Sequence, residues 1–336
     1  MIGLEVVEEL VRSFTYALEH EDPLEARKKL LSAGWLDALD ADPAVATAIV
    51  FGVQGQTLHD VAALDDVLAW GVLKDGMGAR GDVAVAYPIN TSLSSGTVSH
   101  IVLPAHRDAE QLLWLSELEG DEIELVDLQD ALDGPVISGI DPNFGLIGFA
   151  SRPSGRVTAL DGDEVEKLWG SALTAGRTAL CHQIVGGSLS MLKMAVQYAG
   201  RRRQFDTPIG AFQAVKHRLA EALVAISVAD AAAAAASSGG HPATAAVAKV
   251  LAGRAAAMTA RHCLQVFGGS GFTTDHDFHR YFRRNLVLDR LLGDARALER
   301  EMGRGFRMGP LREETFIDLD DGLGTHVGTW TLGILP

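Results

Sequence analysis

Tyr198-Ala-Gly-Arg-Arg-Arg-Gln-Phe-Asp-Thr-Pro-Ile-Gly-Ala-Phe-Gln-Ala-Val215 is the stretch on which the reading of this chain turns. Upstream of it, Leu180, Ile184, Met191, Ala195 and Tyr198 fall on one helical stripe, and downstream Phe212, Val215, Leu219, Leu223 and Ile226 fall on another. Pro208 and Gly210 predict a turn between the two helices. Arg202, Gln204 and Phe205 therefore sit at the end of one helix, and Gln213 at the start of the next. A guanidinium can fork onto a phosphate, an aromatic ring can stack on a base, and a carboxamide can hydrogen-bond.

A second stretch, Gln265-Val-Phe-Gly-Gly-Ser-Gly-Phe-Thr-Thr-Asp275, closes a third stripe formed by Val247, Leu251, Met258 and Leu264. Gly268, Gly269 and Gly271 break that helix and let backbone N–H groups approach a ligand. A fourth stripe follows in Leu288, Leu291, Leu292 and Leu298. Four stripes between residues 161 and 309 predict an antiparallel four-helix bundle. The alanine run 231–236 favours helix, and Ser237-Ser-Gly-Gly stops it.

Working outward, residues 79–160 change texture. The runs Asp82–Tyr87, Val98–Leu103, Gln111–Leu115, Glu122–Val126 and Gly145–Phe149 are separated by Gly, Pro, Asn and Asp, which predicts a small β-domain. Residues 1–78 read as helices, with Leu4, Val7, Leu10, Val11 and Phe14 at one helical spacing and Val61, Leu64, Val67 and Leu68 at another. The expected class is α+β: a helical domain (1–78), a shortened β-domain (79–160), the bundle (161–309) and an extended tail (310–336).

Composition closes off several functions. The 336 residues carry 29 Lys plus Arg against 44 Asp plus Glu, a formal charge of -15, which argues against nucleic acid. Neither apolar stretch, Ala44–Val53 or Ala222–Ala236, suits a membrane span, the first being short and the second carrying Asp230. The acidic start has no signal-peptide pattern, so a cytoplasmic location is the expectation. Cys181 and Cys263 lie in apolar helical patterns and read as buried thiols. His182 and His262 read as structural histidines, Arg283 and Arg284 as surface or interface charge. Asp275, His276, Asp277 and His279 read as solvated or capping residues, so no metal site is expected.

The order helices, β-domain, bundle, together with the two quoted motifs, resembles the acyl-CoA dehydrogenases. The first motif is similar to that family's Y-x-x-x-R-x-Q-F-G-x-P-I-x-x-F-Q-x-V, and the second to its Q-x-x-G-G-x-G-[YF]-x-x-E. The likeness covers the C-terminal half well and the first half faintly, through Gly34-Trp35-Leu36. It implies that Arg202, Gln204, Phe205, Gln213, Gln265, Gly268 and Gly269 contact the adenine and pyrophosphate half of FAD, across a subunit interface. It also implies an acyl-CoA substrate, with Arg177 beside it.

The same comparison shows what is missing. Desaturation takes a proton from the α-carbon of the thioester and a hydride from its β-carbon, so it needs a carboxylate base. The family's usual base lies in a Y-E-G-T loop. An ungapped count from Gly268 through Arg283 reaches Leu291-Leu292-Gly293-Asp294, with Leu292 in the place of the Glu. The alternative base position, on the first bundle helix, falls at Gly176. The T-E-P-x-x-G-S-D and W-x-[IT]-[TS] strings that cradle the flavin ring do not occur. Some relatives, notably those for steroid side-chain thioesters, are α2β2 heterotetramers with one base-bearing subunit type. The resemblance thus implies that this chain is the other type, sharing FAD with a partner that carries the catalytic Glu. The alternatives are a self-sufficient homotetramer using Asp294, Asp289 or Glu299 as base, and a flavin-free scaffold that binds CoA esters.

Overall fold

A computed structural model describes residues 4–18, 22–73, 82–89, 98–117, 123–137, 139–160 and 163–308. The tail expected at 310–336 lies outside the described residues. The chain sorts into two compact units, one of residues 1–46 with 59–176, the other of 47–58 with 177–336.

The first unit opens with helices α1 (Leu4–Leu18), α2 (Pro23–Ser32), α3 (Trp35–Ala41), the first residues of α4 (Pro43–Thr57), and α5 (Ala63–Leu73). Local chemistry explains the starts. Asp22 Oδ1 accepts from the Glu25 N–H at 2.9 Å and Pro23 takes the first helical position, while Gly34 supplies the left-handed turn (φ 87°) before α3.

The strands β1 (Val83–Pro88), β2 (His100–Val102), β3 (Gln111–Leu115), β4 (Ile123–Leu128), β5 (Ile147–Phe149) and β6 (Gly155–Leu160) form one sheet in the order β5-β2-β1-β3-β4-β6. β1 and β3 run parallel at its centre and the other pairings are antiparallel. Ala84, Ala86, Val102, Leu112, Trp114 and Val126 close one core on this sheet. The strand that the spacing did not predict, β6, is an edge. Val157 is 37% exposed there and most of its neighbours face water, so no apolar alternation marks it in the sequence.

A polar network lies buried beneath these helices. Asp66 receives both guanidinium branches of Arg27 (2.9 and 2.8 Å) and the Trp35 indole N–H (2.8 Å). Its neighbour Asp65, fully buried, accepts from the Tyr87 hydroxyl and from His106 Nδ1 (2.5 Å). Arg27 also donates to Val61 O (3.0 Å) and reaches Asp82 at 3.1 Å. Burial alone would lower the Arg27 pKa, but the hydrogen bond and charge of Asp66, then those of Asp82, outweigh it and hold the pKa above its ordinary value. Burial against Asp65 pushes the Tyr87 hydroxyl well up. Trp35, the faint match of the first half, is thus a fully buried anchor.

The second unit holds the rest of α4, α6 (Asp163–Arg201) from Arg177 on, α7 (Gln213–Gly239), α8 (Pro242–Phe267), α9 (Phe278–Arg290) and α10 (Ala295–Met308). The fourth predicted stripe is two helices. Leu288 lies in the last turn of α9, Leu298 belongs to α10, and a turn at Leu291–Asp294 divides them. The third stripe is rotated from the expectation. Ala245, Ala248, Ala252, Ala255, Thr259 and Cys263 are closed in, while Val247 is 42% exposed and Leu251, Met258 and Leu264 are half-buried. Small side chains let α8 pack closely on α7, and this turns the larger ones outward. α7 behaves alike, burying Ala222, Ile226, Ala229, Ala233 and Ala236 while Val224 and Val228 face out. By length and composition α7 is also the one described helix that could cross a bilayer.

α4 enters this unit through a glycine crossing. A Cβ built at Gly55 would sit 2.1 Å from the Gln183 carbonyl oxygen, and one at Gly186 would sit 2.4 Å from that of Gly52. Only glycine allows backbones this close. Tyr281 donates to Gln56 O (2.6 Å) and Arg284 to Leu58 O (3.0 Å), so the end of α4 is tied down by α9. Arg284, expected to be surface or interface charge, is instead buried and caps the end of α4.

Candidate FAD-contact site and the base position

α6 stops at Arg201, and Arg203–Gln204 (β7) pairs with Thr207–Pro208 (β8) as a tight hairpin, where the spacing places a turn. Its two corner residues, Phe205 (φ 52°) and Asp206 (φ 58°), are both left-handed, a conformation that costs a non-glycine residue roughly 1–2 kcal/mol. The strain holds the Phe205 ring outward, 89% exposed, edge-on to Phe212 at 6.5 Å. A large aromatic held in water by an unfavourable backbone points to a ligand or partner.

Arg202 is fixed through its backbone, receiving the Ile209 N–H (2.8 Å) and donating to Tyr198 O (2.8 Å). Its exposed guanidinium meets no hydrogen-bonding or charged partner among the described residues. Gln204 donates to the Arg203 carbonyl (2.7 Å), and Gln213 opens α7 on the exposed side.

The second motif sits against the first. The Phe267 ring lies 4.9 Å from Tyr198 and 5.2 Å from His276, and Ser270 Oγ bonds Phe267 O (2.8 Å) and approaches the Tyr198 hydroxyl (3.4 Å). α8 ends at Phe267. Gly268 follows with φ 60° and ψ -137°, and a Cβ at Gly268 or Gly269 would meet nothing within 4 Å. Gly271 is different, because a Cβ there would press on Leu264 and Phe267 at 2.9 Å. Gly268 and Gly269 thus leave open space beside the exposed Gln265, while Gly271 serves packing. An unpaired guanidinium, a projecting ring, three carboxamides and an open glycine turn match the polar half of a dinucleotide in donor set and in room.

The turn at which the sequence count places the base is closely packed. Leu292 is 3% exposed and left-handed (φ 56°), and Gly293 follows at φ 98°. Arg177 Nε donates to Leu292 O (3.0 Å), and Lys249 donates to Asp289 O (2.8 Å) and Gly293 O (3.3 Å). Arg177, expected beside the substrate, is thus a buried pin of this turn. Lys249 is fully buried, and its pKa is lowered by desolvation against the opposing pull of Asp289.

Each carboxylate nearby is occupied. Asp294 Oδ1 caps α10 by accepting the Ala297 N–H (2.8 Å) while Oδ2 takes Arg290 Nη1 (2.7 Å). Asp289 Oδ1 lies 3.7 Å from Lys249 Nζ and 3.4 Å from the Ala295 N–H. Glu299 accepts from Arg254 at 2.6 Å. Gly176, the alternative base position, is buried on α6.

Other candidates resolve into structure. Burial pushes the Cys181 and Cys263 thiols up to about 12, and they are free and unreactive. Burial pushes His182 down to about 4, where its ring bonds Ser237 Oγ (3.1 Å). His262 lies 3.1 Å from Glu221. Among the described residues no group of His, Cys, Asp and Glu could hold a metal ion. Sequence reasoning did not single out Lys249 or the Arg27–Asp66 network. The available signal was a charge inside an apolar run, as in Ala245-Ala-Val-Ala-Lys-Val-Leu251 and Val61-Ala-Ala-Leu-Asp-Asp-Val67.

Residues 167–304 match the model for the acyl-CoA dehydrogenase C-terminal domain. The chain is 37% identical over 153 residues to the acyl-CoA dehydrogenase IpdE2 of Mycobacterium tuberculosis, a match that covers 45% of this chain and 48% of IpdE2. The alignment therefore spans about half the length of that curated relative. Among solved structures, the ChsE4–ChsE5 complex of M. tuberculosis aligns with TM-score 0.66 at 22% identity, over 92% of this chain and 99% of its own. The Tcur3481–Tcur3483 steroid ACAD aligns with TM-score 0.69 at 20% identity, over 91% and 98%.

Proposed function

The chain belongs to the acyl-CoA dehydrogenase family through its C-terminal domain, and from that premise we propose that it is the subunit without a base in a dehydrogenase of two subunit types. The observation that carries this is the Leu291–Asp294 turn. A base must present a free carboxylate to the α-carbon. Here the side chain in its place is a buried leucine, Arg177 and Lys249 lock the turn, and Asp294, Asp289 and Glu299 already serve a cap and three ion pairs. FAD, when bound, supplies the acceptor for the β-carbon hydride. This chain would hold its adenine and pyrophosphate half through Arg202, Phe205, Gln204, Gln213, Gln265 and the Gly268–Gly269 turn. The flavin ring and the base would belong to a partner.

Two features support a partner of the same fold. Val224, Val228 and Val247 are exposed on α7 and α8, in the unit that carries the proposed FAD contacts. Two solved assemblies of this fold each join two differently named chains, and one is a steroid ACAD. An α2β2 assembly in the cytoplasm, acting on an acyl-CoA of steroid side-chain type, is the reading these features favour.

Co-expression with a base-carrying relative, followed by flavin absorbance against protein concentration, tests the sharing. One FAD for every two chains is the expected result. One FAD for every chain would show that this subunit binds a complete flavin of its own.

The self-sufficient reading is tested by Asp294→Asn. Asparagine caps a helix about as well as aspartate, so the fold should survive. Turnover with a dye acceptor should change by less than about tenfold, whereas a lost general base costs roughly 10²–10⁴-fold. A drop in that range at full flavin content would make Asp294 the base and end the accessory assignment.

A further inference from the structure

α10 carries Arg296, Arg300, Arg304 and Arg307, all exposed. Spacings of four, four and three residues bring them onto one face of the helix, since each turn takes 3.6 residues. The opposite face is anchored, with Leu298 and Met302 packed on Ala246 and Val250 of α8. No hydrogen bond or ion pair joins the four guanidinium groups to a described residue. The nearby acid Glu299 is taken by Arg254. Like charges four apart weaken a helix, so this row is an uncompensated cost in a chain whose formal charge is -15.

The compensating charge lies a few residues along the same chain. Residues 313–321, Glu-Glu-Thr-Phe-Ile-Asp-Leu-Asp-Asp, hold five carboxylates and no Lys or Arg. Gly309-Pro310, a pair that stops helices, stands between them and α10. The arginine row is about 16 Å long at 1.5 Å per residue. Nine extended residues reach about 30 Å, so four connecting residues suffice for the acidic segment to double back along the row.

We propose that the arginine face of α10 is the docking surface for the acidic segment Glu313–Asp321 of this same chain. The proposal is independent of the flavin site, because α10 supplies none of the FAD contacts. Charge complementarity selects the partner, and the short connection gives it a high effective concentration against any separate anion.

The test is arginine modification by phenylglyoxal, read residue by residue by mass spectrometry, on the full-length chain in whatever assembly it purifies. The comparison is a variant in which Glu313→Gln, Glu314→Gln, Asp318→Asn, Asp320→Asn and Asp321→Asn are combined. These changes leave all the described residues intact, and Arg280 on α9 serves as internal reference. At low salt the four arginines should react at least about fivefold more slowly in the natural chain than in the variant. The difference should vanish near 1 M salt, where charges are screened beyond about 3 Å. Equal rates in the two proteins would overturn the proposal. So would protection in both, which would assign the face to an acidic partner chain, or protection only on adding CoA, which would assign it to phosphate.

Discussion

On the proposed sharing of flavin, Arg202→Ala in this chain should strip FAD from the complex co-expressed with a base-carrying partner. A guanidinium on a phosphate is a charge-assisted contact worth about 1.5–3 kcal/mol, which weakens FAD binding roughly ten- to hundredfold when it is lost. Nothing in the fold depends on the side chain, since Arg202 is held by its backbone bonds to Tyr198 and Ile209. Folding stability should therefore stay constant while the flavin dissociates on dilution. Arg203→Ala is the matched control, because Arg203 already spends its charge on the Asp206 carbonyl of the hairpin. Fluorescence of released flavin over a dilution series would read both variants. Equal retention in Arg202→Ala and the unmodified complex would remove the FAD contact from this chain.

Asp66→Ala should be among the most damaging single changes in the first unit. It leaves the Arg27 guanidinium, 2% exposed, and the buried Trp35 N–H without their shared acceptor. Breaking one side of a buried pair costs roughly 3–5 kcal/mol, a large share of the ~5–15 kcal/mol that holds a domain together. Replacing both partners, as in Arg27→Met with Asp66→Leu, should recover part of that loss, because no stranded charge remains. Chemical denaturation of the three proteins decides it. A single variant within about 1 kcal/mol of the parent would mean that water or Asp82 takes over the role of Asp66.

Much of the architecture could be read from the chain because turns and stripes are local signals. The strands at Val83, Gln111 and Ile123 begin within a residue of the expected runs, where Gly, Pro or Asp interrupts the apolar pattern. β6 escaped because an exposed edge strand needs no apolar alternation. The stripe of α8 was misphased for a related reason. Val247, Leu251, Met258 and Leu264 were taken as the inward face, but the alanines make the close contact and Val247 is left outside. The residues proposed to contact FAD could be named because two motifs fix their order, and the structure brings Tyr198 of the first motif against Phe267 and Ser270 of the second. The Lys249–Arg177 lock was not, because its acceptors are backbone carbonyls of Asp289, Leu292 and Gly293, and a carbonyl carries no residue identity.

The glycine crossing of α4 bears on how this chain can be divided. The block that matches the family model begins at residue 167, so it is tempting to treat it as a portable module. Yet Thr47–Leu58 fills the slot beside Gln183–Gly187, and the contact there is main chain against main chain. Cutting at 161 would bare a strip of helix backbone that no side chain of the remaining segment is shaped to cover. The same strip makes the pairing hard to imitate, since any other helix would bring a Cβ where only hydrogen fits. Gene fusions, chimaeras and swapped subunits of this type should therefore carry the segment from Pro43 onward together with the bundle, as one inherited piece.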